Sequence, residues 1–107
     1  MSVLLTDGAA RDLDEWYAAA YARGGATEAN RILDRIQVVL SGVDDGTMRD
    51  EPLPELRSLG RHGERQVVTS EGLRVVYRRD GARALVVLLA PVSRSFQSLL
   101  LRRMLDA

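Results

Sequence analysis

The chain has no cysteine and no lysine, and only one histidine, one tryptophan and three prolines among its 107 residues. Without cysteine there is no disulfide framework and no thiolate metal site. His62 alone cannot supply the usual zinc set, so neither a metal nor a cofactor is expected. The longest apolar run, Ala84 to Val92, falls far short of the ~20 residues that a membrane-spanning helix needs. The N-terminus, MSVLLTDGAARD, has no basic stretch and only a three-residue apolar run, so it does not read as a secretion signal. A soluble, cytoplasmic protein without a membrane partner is the expectation. There is no low-complexity segment and no internal repeat, and the length fits one domain, 1–107, with a single core.

The formal net charge is zero, yet the charges are unevenly placed. Residues 1–55 hold five arginines against eleven carboxylates, and residues 56–107 hold ten arginines against four. The first half therefore stands at −6 and the second at +6. A half this basic points to an anionic partner: nucleic acid, an acidic protein segment or a phosphate-bearing substrate. The competing reading is internal neutralisation by the acidic first half.

Hydropathy patterning supplies the elements. Val3–Leu5 reads as a short edge strand. Thr6 or Asp7 caps a helix whose apolar positions Ala10, Leu13, Trp16, Tyr17, Ala20 and Tyr21 recur at helical spacing, with Arg11, Asp12, Asp14 and Glu15 on the other face. Gly24-Gly25 stops it, Thr27 caps a second helix running to Gly42 or Asp45, and the two form an antiparallel hairpin. Residues 44–64 carry two prolines and three glycines between charges and read as an irregular loop, with a turn around Pro54 to Leu59. Gln66–Thr69 and Leu73–Arg78 read as β-strands, joined through Ser70, Glu71 and Gly72. Asp80-Gly81 turns the chain into a third strand that ends at Pro91. A final short helix, capped by Ser93 or Ser95, carries Phe96, Leu99, Leu100, Leu101 and Met104. The fold class is α+β: an N-terminal strand and an antiparallel helical hairpin packed on a three-stranded antiparallel sheet, in two layers, with a short C-terminal helix able to cover the other face. Arg65, Arg74, Arg78 and Arg83 cluster on that sheet.

The order of elements, together with LTDGAARDLDEWYAAAY, EANRILDRIQVVL and above all GLRVVYRRDGARALVVLL, resembles the RelE/ParE toxin superfamily of bacterial toxin–antitoxin modules. The resemblance covers residues 3 to about 92 and rests on the set Arg74, Tyr77, Arg78. It implies either a ParE-like toxin that poisons DNA gyrase by binding, or a RelE-like, ribosome-dependent mRNA interferase. A non-toxic relative that only binds an antitoxin-like partner is a third possibility. Where many relatives carry a histidine followed by arginines, this chain reads Ala90-Pro91-Val92-Ser93-Arg94, and Leu73 stands in place of an aromatic. Those departures, with the absence of lysine, favour the ParE-like reading. The implied partners are a cognate antitoxin and DNA gyrase, alternatively the ribosome and mRNA, in a homodimer or a toxin–antitoxin hetero-oligomer.

No catalytic residue is assigned outright. If the chain is a nuclease, the candidates are Arg65, Arg74, Tyr77, Arg78 and His62, because phosphoryl chemistry needs cations for the phosphorane and groups to move protons. For target binding the candidates are Arg57, Arg61, Arg65, Arg74, Arg78 and Arg94. Each has a plainer reading. Arg74 and Arg78 would pair with Glu64, Glu71 or Asp80 across the strands, Tyr77 would be a half-buried strand residue, and His62 a solvated loop residue. Trp16 and Tyr17 read as packing between the helices. The two nuclease and binding readings part on whether Arg65, Arg74, Arg78 and a loop proton donor converge on one point.

Overall fold

Thr6 starts the first helix because its extended backbone (φ −65°, ψ 164°) lets its hydroxyl accept the Ala9 N–H at 3.2 Å, satisfying a donor that a helix start leaves open. The computed structural model describes residues 2–57, 60, 63–69, 72–91 and 96–106. Its elements are β1 (Ser2–Leu5), α1 (Asp7–Asp45), β2 (Glu51–Pro52), α2 (Pro54–Arg57), β3 (Glu64–Val68), β4 (Leu73–Asp80), β5 (Arg83–Pro91) and α3 (Phe96–Asp106).

Helix α1 is broken at Gly25, which sits at φ 71°, ψ −160°, a backbone that only glycine adopts without strain. Trp16 and Val39 would stand ~35 Å apart on a straight helix, yet both line one groove, so the two arms fold back on each other. The break is one residue wide. Thr27 consequently lies within helical geometry and is not a separate N-cap, contrary to the sequence expectation. The second arm ends at Gly46, whose N–H reaches the Gly42 carbonyl, as do those of Thr47 and Met48 at 3.0 and 3.2 Å. Met48 closes so tightly on Gly42 that an added Cβ would overlap the Met48 Cγ. For Gly42→Ala we expect the overlap to outweigh the gain in helix propensity, for a net loss of about 1–2 kcal/mol in urea unfolding.

The sheet has five strands, in the order β1-β5-β4-β3-β2, and is mixed: β1 runs parallel to β5 and the other pairs are antiparallel. The three central strands match the sequence expectation. At the edges, β1 is the edge strand expected, seated parallel to β5, and the single turn of α2 falls where a turn is expected around Pro54 to Leu59, while β2 is a strand formed inside the stretch expected to be irregular. The β4–β5 turn is Gly81-Ala82, one residue later than expected, because Asp80 still pairs with Arg83.

Strand β5 owes its long apolar run to a bulge. Val76 pairs with Leu88 and Tyr77 with Val86, which leaves Val87 as the extra residue. Val86 and Leu89 therefore join the core beneath α1, while Val87 and Leu88 both join the core on the opposite side. The opposite core is closed by Leu53 and Leu56 from the β2–α2 segment and by Leu100 and Met104 of α3. Three layers result, not two. The Phe96 side chain and the suggested caps Ser93 and Ser95 lie outside the described residues.

Where β1 ends at Leu5, the edge of β5 would be left open. Asp12 of α1 accepts the Leu89 N–H at 3.0 Å, and Arg103 of α3 donates to the Val87 carbonyl at 3.0 Å. The two side chains join each other in a two-pronged pair of 2.8 and 2.9 Å. Asp12, expected on the polar face of its helix, is buried. Tyr17 and Tyr21, expected in the apolar stripe, are 37% and 55% exposed, because the stripe is rotated toward Ala9, Asp12, Leu13, Trp16 and Ala20.

Candidate functional site

Cross-strand register divides the arginines between the two faces of the sheet. Arg65 stands opposite Tyr77, and both belong to the face beneath α1. Arg79, two residues on, shares it. There Asp50, from the segment between α1 and β2, gathers three groups. Arg65 donates to it at 2.8 Å, and the Tyr77 hydroxyl makes a short hydrogen bond to its other oxygen. The Arg79 guanidinium lies 5.8 Å from the Tyr77 ring centre and donates to the Val43 carbonyl at 2.6 Å, tying β4 to the end of α1.

Burial, and then the Asp50 carboxylate, push the Tyr77 hydroxyl up to about 12. Burial also pushes Asp50 up, but the hydrogen bonds from Tyr77 and Arg65 and the charges of Arg65 and Arg79 outweigh it, and its pKa lies below the ordinary 3.8. A depressed carboxyl stabilises the fold above its unfolded value and loses that contribution as pH falls through the folded value. In Tyr77→Phe one donor is gone. We expect the variant to lose about 1.5–3 kcal/mol near neutral pH and to begin acid unfolding at higher pH than the parent, as read from urea midpoints between about pH 3 and 7.

On the other face, Glu64 stands opposite Arg78 and Val68 opposite Arg74. Arg74 and Arg78 are half-buried, while Glu64 is buried. Arg57 ends α2 and is exposed on the same side as its Leu53 and Leu56 neighbours. Arg83 is exposed at the start of β5. Arg61, His62 and Arg94, like Glu71, lie outside the described residues. The structure thus places Arg74 and Arg78 on one face, four residues apart along β4, and separates them from Arg65 and Tyr77 by the thickness of the sheet. Among the described residues no group of three or more histidines or carboxylates is placed to hold a metal, and no helix is long and apolar enough to cross a membrane.

Asp50 and Arg79 were missed in the sequence. Arg79 was accessible in principle, since alternation puts it on the Tyr77 face. Asp50 lies in an aperiodic stretch and carries no such signal.

A second feature is an open groove of about 780 Å³ between the arms of α1 and the β3–β4 turn. Its floor is apolar, made by Trp16, Ile32, Ile36, Val39 and Leu73, and its rim carries Arg23, Arg31 and Arg35. Val38 lies beside it, 67% exposed.

A family model described as the ParE toxin of the type II toxin–antitoxin system, parDE, matches residues 3–96. Among solved structures, the chain is similar to one from the chromosomal ParDE TA system of P. aeruginosa, with a TM-score of 0.60 and 20% sequence identity. That alignment covers 87% of this chain and 97% of the other. At this identity the likeness is one of fold. No curated protein sequence matches the chain.

Proposed function

The chain belongs to the ParE toxin family of type II toxin–antitoxin systems, and from that premise we propose that it inhibits DNA gyrase by binding and is neutralised by a cognate antitoxin. The observation that carries the binding reading is the division of the arginines. Arg65 and Tyr77 face α1 and are held by Asp50, whereas Arg74 and Arg78 face the other way. An interferase needs cations and a proton-transfer group around one phosphate. Tyr77, buried and raised to about 12, is poorly suited to move a proton near neutral pH. A binding toxin needs no such point, and the Arg57, Arg74 and Arg78 face offers fixed positive charge for a large target. The groove between the α1 arms suits neutralisation, since an amphipathic helix laid in an apolar groove is a common way to cover such a surface. The free edge of β1 suits an added strand.

The test is expression without the antitoxin, followed in time for mRNA cleavage and for the DNA-damage response, with a supercoiling assay on purified gyrase beside it. Gyrase inhibition and an early DNA-damage response are expected. Cleavage of mRNA in programmed ribosomes on the order of 1 per second or faster would replace this reading with the interferase. If no small protein encoded beside the gene co-purifies with the chain, the neutralisation half fails.

A further inference from the structure

Strand β5 joins the most apolar stretch of the chain to an incomplete edge. Residues 84–90 read ALVVLLA, without a charge, and Val86 to Ala90 are buried on both faces of the sheet. The neighbouring β1 ends at Leu5, opposite Val86. Among the described residues, backbone pairing on that side stops with the Thr6 N–H, which reaches the Val86 carbonyl at 3.0 Å. Beyond that point the outward groups of β5 are met by side chains. Asp12 takes the Leu89 N–H and Arg103 the Val87 carbonyl. Arg103 reaches them by crossing the first turn of α1 at Gly8, where an added Cβ would stand 2.8 Å from its Nη1 and 2.9 Å from its Cδ. An uncharged, proline-free strand with bare edge groups is a template for another strand.

We propose that Asp12 and Arg103 guard a self-association surface: the β5 edge at Val87–Leu89, which pairs with the same edge of a second copy of this chain when the two side chains leave it. A guest strand seated there lies between the α1 layer and the α3 layer, so it must be apolar on both faces. Strands β3 and β4 do not qualify, because they carry Glu64, Gln66, Arg74 and Arg78 on one face. Strand β5 does qualify. The surface is therefore complementary to itself, and an antiparallel pair of β5 strands closes about a twofold axis. Asp12 and Arg103 occupy the positions where the guest backbone would bond, which makes the pair a barrier to assembly as well as a brace for the fold. The inference stands apart from the gyrase and antitoxin readings, since both partners are this chain.

Sedimentation of purified protein from about 10 µM to about 1 mM tests this. Arg103→Met and the double variant Asp12→Leu, Arg103→Met bare the edge. Arg103→Lys keeps a cation for Asp12 and a donor for the Val87 carbonyl, and Ile36→Ala weakens the core while leaving the edge covered. The bared variants are expected to associate at concentrations at least about tenfold lower than the parent. They should keep its circular dichroism and gain the infrared amide band of strands paired between molecules. Arg103→Lys and Ile36→Ala should sediment like the parent. Should the bared variants fail to fold, Gly8→Ala makes the comparison, because its Cβ displaces the guanidinium without removing a charge, and the same shift is expected. Bared or Gly8→Ala variants that are folded and sediment like the parent overturn the proposal. So does equal association of Ile36→Ala, which would tie assembly to lost stability, or of Arg103→Lys. Loss of the fold in every bared variant and in Gly8→Ala assigns the pair to stability alone and overturns it as well.

Discussion

Replacing Asp12 with alanine is expected to lower stability by roughly 3–5 kcal/mol, the cost of breaking a buried ion pair from one side. The substitution takes the two-pronged carboxylate partner from the Arg103 guanidinium, whose side chain is only 18% exposed, and removes the acceptor of the Leu89 N–H. A loss of that size moves the melting midpoint down by roughly 12 °C or more in a domain of this length. Arg103→Ala should act similarly, because it leaves the Asp12 carboxylate buried without its cation. The double variant Asp12→Leu, Arg103→Met should recover much of the loss, since an apolar pair avoids desolvating two charges. Single variants that melt within a degree or two of the parent would show that the edge of β5 does not depend on this pair.

The second large effect concerns toxicity. Removing charge from the face opposite α1, through Arg57→Gln, Arg74→Gln and Arg78→Gln, is expected to abolish growth inhibition on induction. The cost to the fold is about 1 kcal/mol or less at the exposed Arg57 and larger at the half-buried Arg74 and Arg78, which share a face with the buried Glu64, whereas the loss of fixed positive charge removes much of the attraction to an anionic surface. Ile36→Ala serves as the opposite control. Its side chain, on the second arm of α1, is buried in the core against the sheet, so the cavity should cost roughly 2–5 kcal/mol and lower toxicity only by depleting folded protein. Arg65→Gln belongs with Tyr77→Phe instead, because both disturb Asp50. If the three arginine variants melt like the parent and stay fully toxic, that face is not the working surface, and the α1 arms or α3 must carry the activity.

The parts of this fold that could be read in the sequence are those governed by neighbours along the chain. Thr6 as a cap, the break at Gly24-Gly25, the central hairpins and the end of β5 at Pro91 each follow from a local preference. Leu100 and Met104 were also legible as cover for the second face, because helical spacing in a short apolar segment leaves few other uses for them. What escaped depends on distant partners. Strand β2 is two residues long and contains Pro52, so it has no alternation to betray it and exists only because β3 offers Arg65 and Gln66 as partners. Asp12 looked like one more charge on a solvated helix face, and its partner lies 91 residues away. The parallel seating of β1 likewise depends on β5. For the site, alternation along β4 already puts Tyr77 and Arg79 on one face and Arg74 and Arg78 on the other, whereas the place of Arg65 beside Tyr77 was not legible, since it requires the register of β3 against β4.

Trp16, the only tryptophan in the chain, lies in the floor of the α1 groove, half-buried against the core. The protein therefore carries a built-in optical reporter at its candidate docking surface. A helix that settles there would strip the remaining water from the indole, moving its emission toward shorter wavelength without any added label. A ligand on the far side of the sheet would leave the spectrum where it was, so the two faces can be told apart by the colour of the light alone.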